Sequence, residues 1–253
     1  ELSGVVSGSG GIEVLQNGSG SLTLSGVNTY TGATTVDGTL VVSGSGRINT
    51  TSGIVVSSGG TFDYNSSTAL TAAISFSGTG NTLSGSGAIG SAVTITDGNI
   101  LSVGNSPGTM TFAMGLTLDS GSSTIAEIDG TAGAGVVGGH DLHAVSGALV
   151  YGGDLSLVLG TGILAEGNYT WDLFDFDSDT ESFDSIVLSG DYTGNLLDGD
   201  LNGIWDLVDG DNTWVFAEGS GVLGLTVVPE PSAYALLAGF FGMAVVILRR
   251  RRS

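Results

Sequence analysis

The chain has 253 residues, of which 45 are glycine and 41% are apolar, with three prolines, no cysteine and no lysine. This composition excludes collagen and a proline-rich linker, and the lack of cysteine excludes a disulfide-stabilised scaffold. Residues 1–228 hold 24 acidic residues against one arginine, Arg47, which gives a net charge of −23. Such a body repels nucleic acids and anionic lipid, which leaves cations, neutral glycans and other proteins as partners.

Short alternating runs separated by glycine turns recur along the first part of the chain. In segment 20–44, Leu22 and Leu24 alternate with small polar residues, and Leu40 and Val42 do the same further on. Turn glycines then recur 22, 38 and 23 residues apart, at Gly38, Gly60, Gly98 and Gly121. This spacing predicts coils of about 19 to 23 residues, in which each strand pairs with strands of the neighbouring coils.

We therefore predict an all-β fold in which residues 1–167 form a right-handed parallel β-helix, a solenoid of short strands. The 41% of apolar residues supply its buried face. A β-sandwich of two stacked sheets is the fallback, because alternation alone does not separate the two architectures.

Residues 22–44, LTLSGVNTYTGATTVDGTLVVSG, resemble the autotransporter-associated β-strand repeat. Residues 98–108 with the following TMTF resemble a later portion of the same family, and the resemblance extends over residues 18–160. It implies a β-helix like those of autotransporter passengers. The remaining chain is too short for a translocation barrel, so we expect export by the general pathway.

Two motifs of the chain fit enzyme patterns. Gly104, Ser106 and Gly108 match the G-x-S-x-G of serine hydrolases, but the next residue after the serine, Pro107, has no N–H to donate to an oxyanion. Residues 85–90 match the dinucleotide-binding G-x-G-x-x-G, but a strand-like sequence follows where a helix is required. We interpret both as turns of a glycine-rich chain.

His140 and His143 could supply half of a zinc site, but the chain has two histidines and no cysteine to complete it. We expect them on a surface loop that enters a strand near Leu142. The acidic run that follows has the oxygen ligands that calcium prefers but no glycine to bend the chain, so we expect solvated charge at a strand edge. Its members are Asp172, Asp175, Asp177, Asp179, Glu181 and Asp184.

Residues 168–228 differ in residue pattern from the preceding chain and contain all three tryptophans. Five strand-like segments occur there, with hairpin-type links at 209–212 and 219–221. The segments are 169–176, 185–188, 204–208, 213–217 and 222–227. We predict an antiparallel cap that closes the open end of the β-helix with aromatic side chains and limits edge-to-edge association.

One part of this cap has the ligand pattern of a calcium loop. Counted from Asp198, oxygen-bearing side chains occupy positions 1, 3, 5, 9 and 12, and Gly203 occupies position 6. The pattern resembles the dockerin variant of the EF-hand loop, which implies as ligands Asp198, Asp200, Asn202, Asp206 and Asp209. A hairpin with Trp205 and Leu207 facing the core explains the same alternation without metal. Calcium is the one cofactor that the sequence suggests, and both interpretations stay open.

Residues 229–253 form a third unit. Pro229 and Pro231 force an extended backbone on either side of Glu230. Residues 233–248 are free of charge and predict a single transmembrane helix, slightly shorter than the roughly 20 residues that span a bilayer. Four arginines follow and should stay on the cytoplasmic side: Arg249, Arg250, Arg251 and Arg252. An amphipathic or core helix is the alternative.

In this order, the Pro-Glu-Pro motif, the apolar segment and the arginine cluster resemble the PEP-CTERM sorting signal of Gram-negative bacteria. The resemblance implies that an exosortase-like membrane enzyme recognises Pro229, Glu230 and Pro231 and processes the chain nearby. It also implies transient anchoring in the inner membrane, then delivery to the cell surface or exopolysaccharide matrix. The sequence begins at Glu1 without an apolar leader, so we expect that a secretory signal was removed or that the sequence is a fragment.

The pattern as a whole favours a structural or adhesive protein of the cell surface or matrix, without catalysis. Flat faces of threonine, serine and asparagine suit weak multivalent contact with exopolysaccharide or neighbouring surface proteins. The alternative is a β-helix polysaccharide lyase or glycosidase. A lyase needs a cation or base beside its substrate, and residues 1–228 offer one arginine and two histidines.

Overall fold

A computed structural model describes residues 1–16, 20–104, 107–160, 162, 164–228 and 243. In chain order its strands are β1 (Ile12–Val14), β2 (Ser21–Leu24), β3 (Thr34–Val36), β4 (Thr39–Gly44), β5 (Ile54–Ser57), β6 (Thr61–Ser66), β7 (Ile74–Ser77), β8 (Thr82–Gly85), β9 (Ala88–Ile89), β10 (Val93–Ile95), β11 (Ile100–Val103), β12 (Thr109–Phe112), β13 (Leu116–Leu118), β14 (Ser123–Ile128), β15 (Leu142–Val150), β16 (Asp154–Leu159), β17 (Gly167–Asp172), β18 (Phe174–Thr180), β19 (Ser185–Gly190), β20 (Gly194–Leu196), β21 (Ile204–Asp209), β22 (Asn212–Ala217) and β23 (Val222–Val227). One 3-10 turn, Glu218–Ser220, precedes β23.

Parallel pairing between successive coils builds most of the molecule. The largest sheet follows the order β2-β4-β6-β8-β11-β14-β16-β19-β20, parallel up to β19, and a second sheet follows β1-β3-β5-β7. The third side starts as single bridges, Val27 to Arg47 and Leu70 to Ile89, and widens into β9, β12, β15 and β18. This parallel ladder fits the predicted β-helix and not the sandwich. Its right-handed sense stays a prediction.

The length of each coil follows from the register of the largest sheet. Successive partners lie 18, 22, 21, 18, 23, 31 and 31 residues apart, at Ser21, Thr39, Thr61, Thr82, Ile100, Ser123, Asp154 and Ser185. The first five steps are close to the predicted period. The last two coils are longer because chain is inserted between β14 and β15 and between β16 and β18.

Because side chains alternate between the two faces of a strand, one of every two successive side chains points into the core. A column of inward residues runs along the largest sheet in register: Leu40, Phe62, Leu83, Leu101, Thr124, Leu155 and Ile186. All are fully buried. Each large apolar member contributes on the order of 2 kcal/mol by leaving water. At the turns, Asn99 Oδ1 accepts from the Asn81 backbone N–H at 3.0 Å, and Asn81 Oδ1 accepts from Gly59 N–H at 3.0 Å. Neighbouring coils are thus joined where strands end.

The C-terminal part contains an antiparallel sheet of order β17-β23-β22-β21. Of the five segments expected there, 185–188 pairs differently, since β19 lies parallel to β16, and 169–176 divides between β17, which joins this sheet, and β18, which lies parallel to β15. Ile186 and Leu188 of β19 continue the inward columns of β16, so apolar side chains decide this pairing. Aromatic rings join the antiparallel sheet to these last coils, with Trp214 stacked on Trp171 and edge-on to Tyr192 at 5.0 Å.

Candidate functional site

The outer side of the largest sheet carries one in-register row of hydroxyl side chains and a second row in which Val41 and Asp63 separate two hydroxyl residues. We call the outward residues of β2, β4, β6 and β8 the hydroxyl face: Ser21, Thr23, Thr39, Val41, Thr61, Asp63, Thr82 and Ser84. Apart from exposed Ser21, they are half-buried by their neighbours in the rows. Paired strands lie about 4.7–4.9 Å apart, so the face offers hydrogen-bonding groups at a regular repeat.

The hydroxyl face is nearly uncharged. Its one ionisable side chain is Asp63, whose Oδ1 accepts from Asn65 Nδ2 at 2.6 Å. Burial raises the pKa of this carboxyl, against the opposing effect of hydrogen bonds from Asn65 and Ser84. By contrast, residues 172–218 carry 13 acidic residues and no basic one. The molecule therefore has a neutral, repetitive side and a strongly acidic C-terminal end.

A cleft of about 660 Å³ opens at that acidic end. It lies between the β18–β19 turn, the loop before β21 and the 3-10 turn, and its lining includes Asp179, Glu181, Asp184, Asp198, Trp205 and Glu218. Glu218 is buried at its base. Its Oε1 accepts from Phe183 N–H at 2.8 Å and from the Trp205 indole N–H at 3.0 Å, and Ser182 Oγ donates to both carboxylate oxygens. These bonds make Glu218 a structural junction between the last coil and the antiparallel sheet.

The predicted calcium ligands fall into two places. Asp198 Oδ1 and Oδ2 accept from the N–H groups of Asn202 and Gly203, and Asn202 Nδ2 donates to Asp200 Oδ2 at 3.1 Å. Partial desolvation raises the pKa of Asp198, but hydrogen bonds from these backbone N–H groups outweigh it, so the pKa lies below its usual value. Asp206 and Asp209 lie on β21, in the predicted hairpin whose Trp205 is buried. Among the described residues, no three His, Asp or Glu side chains are grouped to hold a metal ion. Calcium binding stays a prediction.

The two histidines are buried, so their expected place on a surface loop is wrong. His143 points inward from β15, stacks on Phe174 with centroids 4.5 Å apart, and has Nδ1 3.1 Å from the Leu173 carbonyl. Burial lowers its pKa to about 4. His140 Nε2 lies 3.1 Å from the Asp172 carbonyl. Leu142 is the outward neighbour, because the register with β12 and β18 sends His143 into the core.

Asp141, between the histidines, was missed by sequence reasoning. It is fully buried, Oδ1 accepts from Gly108 N–H at 2.7 Å, and Oδ2 accepts from Glu127 N–H at 2.8 Å. Burial raises its pKa to about 6. Its partners are 33 and 14 residues away in sequence, so no local pattern indicates its role. The same holds for Glu218, which accepts hydrogen bonds from two separate segments, Ser182–Phe183 and Trp205.

Other predicted sites have mixed outcomes. The acidic run from Asp172 to Asp184 is exposed apart from half-buried Asp179, as expected. Within 85–104, the strands β8 to β11 leave no helix start for a dinucleotide. Ser106 lies outside the described residues. So do Pro229, Glu230, Pro231 and the arginines 249–252. In the part of the chain that the structure describes, we find no helix with the length and apolar character needed to cross a membrane; of the predicted span 233–248, that part includes Met243 alone.

Comparison with known proteins bears on the first coils. Residues 14–42, which contain β2, β3 and the start of β4, match the family model described as passenger-associated-transport-repeat. Neither a search of curated proteins nor a search of solved structures found a match. The matched segment covers slightly more than one coil and carries part of the hydroxyl face. The chain thus contains an autotransporter-associated β-strand repeat, which implies a secreted or cell-surface protein.

Proposed function

We propose that this protein is a non-enzymatic component of the cell surface or extracellular matrix that contacts neutral polysaccharide through the hydroxyl face. The observation that carries the proposal is the in-register repeat of hydroxyl groups on a nearly uncharged side of an acidic molecule. Each hydroxyl contributes weakly, because it exchanges one hydrogen bond with water for one with the sugar. Many such contacts at a fixed repeat give useful avidity.

Binding to insoluble glucans tests this proposal. The full chain should sediment with cellulose or curdlan and stay in solution with alginate, whose carboxylates the acidic body repels. Thr39→Glu with Thr61→Glu should lose most of this binding. The matched control, Thr35→Glu with Thr94→Glu, adds the same charge to outward residues of β3 and β10 and should bind like the parent. Equal loss of binding in both variants, or no binding of the parent to either glucan, would contradict binding through the hydroxyl face.

The proposal includes sorting by the C-terminal tail. An exosortase-like enzyme recognises Pro229, Glu230 and Pro231, while the apolar segment and the arginine cluster hold the chain in the inner membrane. The passenger-type repeat supports export, since it belongs to secreted or surface chains. Processing then delivers the β-helix to the surface or the matrix.

The catalytic alternative would use the carboxylates of the acidic cleft. Glu218 already accepts four hydrogen bonds there, so Glu181 and Asp184 would have to act as acid and base. A screen on neutral and uronate glycans is the test. Turnover that disappears in Glu181→Gln or Asp184→Asn would replace our proposal with a glycosidase or lyase.

A further inference from the structure

The antiparallel sheet buries one side, and within the described residues its other side is partly exposed. Its inner side packs on the solenoid through large side chains, namely Trp171, Trp214, Phe216, Leu223 and Leu225. The opposite side of β21, β22 and β23, with the neighbouring Leu197, presents smaller apolar side chains. We call this surface the apolar face and define it by Leu197, Ile204, Val208, Val215, Ala217 and Val222.

Strand register arranges most members of the apolar face in two rows. One row runs from Ile204 through Ala217 to Val222, and a second runs from Leu197 past Asp206 to Val215. Facing side chains in such rows lie about 4.5–5.5 Å apart at Cβ. Leu197 is 67% exposed and Val208 is 65% exposed. Apolar side chains gathered on one open sheet face indicate an interaction surface.

The missing side chain of Gly224 leaves a shallow dent on the β23 side of this face. Gly224 faces Val215 in the second row. A Cβ at position 224 would meet no atom closer than 3.7 Å, so the chain itself does not require glycine there. Glycine in a strand interior costs stability and often marks close approach by another chain. The dent has room for an apolar side chain of a partner.

Charge identifies the kind of partner. Asp206 lies inside the apolar face, and exposed Asp172 of β17 lies beside Val222 at its edge; both belong to the segment 172–218, which has 13 acidic and no basic residues. A second copy would present the same negative charge, and an anionic membrane would be repelled. We propose that the apolar face binds a basic polypeptide segment. Its apolar side chains pack around Gly224 while its arginine or lysine side chains pair with Asp206 and Asp172.

Synthetic peptides of alternating leucine and arginine, or leucine and glutamate, test the proposal on the full chain by calorimetry. The arginine peptide should bind with an affinity that falls as salt rises, and the glutamate peptide should not bind. Ile204→Ser with Val215→Ser keeps every carboxylate and should weaken binding by about tenfold, the size of one lost hot-spot contact. Val136→Ser with Val137→Ser changes two exposed valines of the β14–β15 insertion and should leave affinity unchanged.

A second variant distinguishes loss of the binding surface from loss of the fold. Gly224→Val adds a strand-favouring residue, keeps the fold by circular dichroism and fills the dent, so it should also weaken arginine-peptide binding by about tenfold. Parent-like affinity in both the serine and valine variants would show that binding needs only charge and would overturn the proposal. Equal binding of the two peptides would overturn it as well. So would a dimer of the parent that Gly224→Val dissociates in light scattering, because a second copy would then be the occupant.

Discussion

The indole N–H of Trp205 donates at 3.0 Å to the carboxylate of Glu218, which lies where the antiparallel sheet meets the last coil. The Phe183 N–H and the Ser182 hydroxyl donate to the same carboxylate from the last coil. Glu218→Ala should therefore lower the free energy of unfolding by about 3–5 kcal/mol, since buried donors lose their acceptor. Glu218→Gln keeps one acceptor and should cost about half as much.

Tryptophan fluorescence in a urea titration measures this effect, because all three tryptophans lie in the antiparallel sheet. Glu166→Ala, at an exposed acidic residue, is the matched control and should leave the midpoint unchanged. A Glu218→Ala midpoint equal to that of the parent would mean that this carboxylate does not join the two parts.

Asp141 and His143 should give opposite pH dependences to stability. The pKa of His143 falls from 6.5 to about 4 in the fold, so its contribution is present above pH 6.5 and is lost as pH falls towards 4. The pKa of Asp141 rises from 3.8 to about 6, so its ionisation penalises the fold above pH 6 and is relieved as pH falls towards 3.8. Each effect is worth up to about 3 kcal/mol, and over this window they nearly cancel.

Variants separate the two contributions in urea titrations between pH 7 and 4.5. His143→Phe keeps the stacking on Phe174 and should gain stability relative to the parent as pH falls. Asp141→Asn should lose stability relative to the parent over the same window. Comparing each variant with the parent in the same buffer removes the general effect of the acidic body. Parallel curves for all three proteins would contradict the assignment of these two residues.

Thr124 interrupts the inward column between Leu101 and Leu155, and its buried Oγ1 has no hydrogen-bond partner among the described residues. Thr124→Val keeps the shape of the side chain and removes the unpaired hydroxyl. We expect it to raise the free energy of unfolding by about 1–2 kcal/mol. Thr61→Val, on the outward side of β6, is the control and should change stability little. A destabilised Thr124→Val protein would show that the hydroxyl is hydrogen-bonded in solution.

Calcium binding at the loop that begins with Asp198 is tested by thermal unfolding. A bound ion would raise the unfolding temperature with concentration, by about 2.7 kcal/mol of stability at a hundredfold excess over the dissociation constant. Asp198→Ala with Asp209→Ala should abolish the rise. Asp175→Ala with Asp177→Ala removes the same charge from β18 and should retain it. Magnesium controls for screening of the acidic body, and equal effects of both ions would eliminate the site.

Changing Pro229, Glu230 and Pro231 to alanine tests the sorting proposal. The variant should cross the inner membrane but remain there unprocessed, because the apolar segment and arginines still anchor it while the recognition motif is gone. Cell fractionation with immunoblotting measures its location and size against the parent. Replacing Ser232 alone is the control and should leave sorting intact. Normal release of the triple variant would refute a role for the motif.

The alternation of Leu40 and Val42 with outward hydroxyl residues, together with the spacing of the turn glycines, was enough to predict parallel coils and their length. These properties are local, since a strand shows its inward face in its own period and a coil closes within about 20 residues. The same local pattern placed Trp205 in the core of a hairpin.

Tertiary structure decided what depends on distant partners. Nothing near His143 in sequence shows that it points inward; the register with β12 and β18 does. Phe174 and Ile186 lie on strands of the parallel ladder because their neighbours, about 31 residues earlier, offer matching columns. The hydrogen bonds of Asp141 and Glu218 likewise join segments that meet only after the coils have stacked. Long-range pairing places side chains by register, and a one-residue shift would turn each of them to the other face.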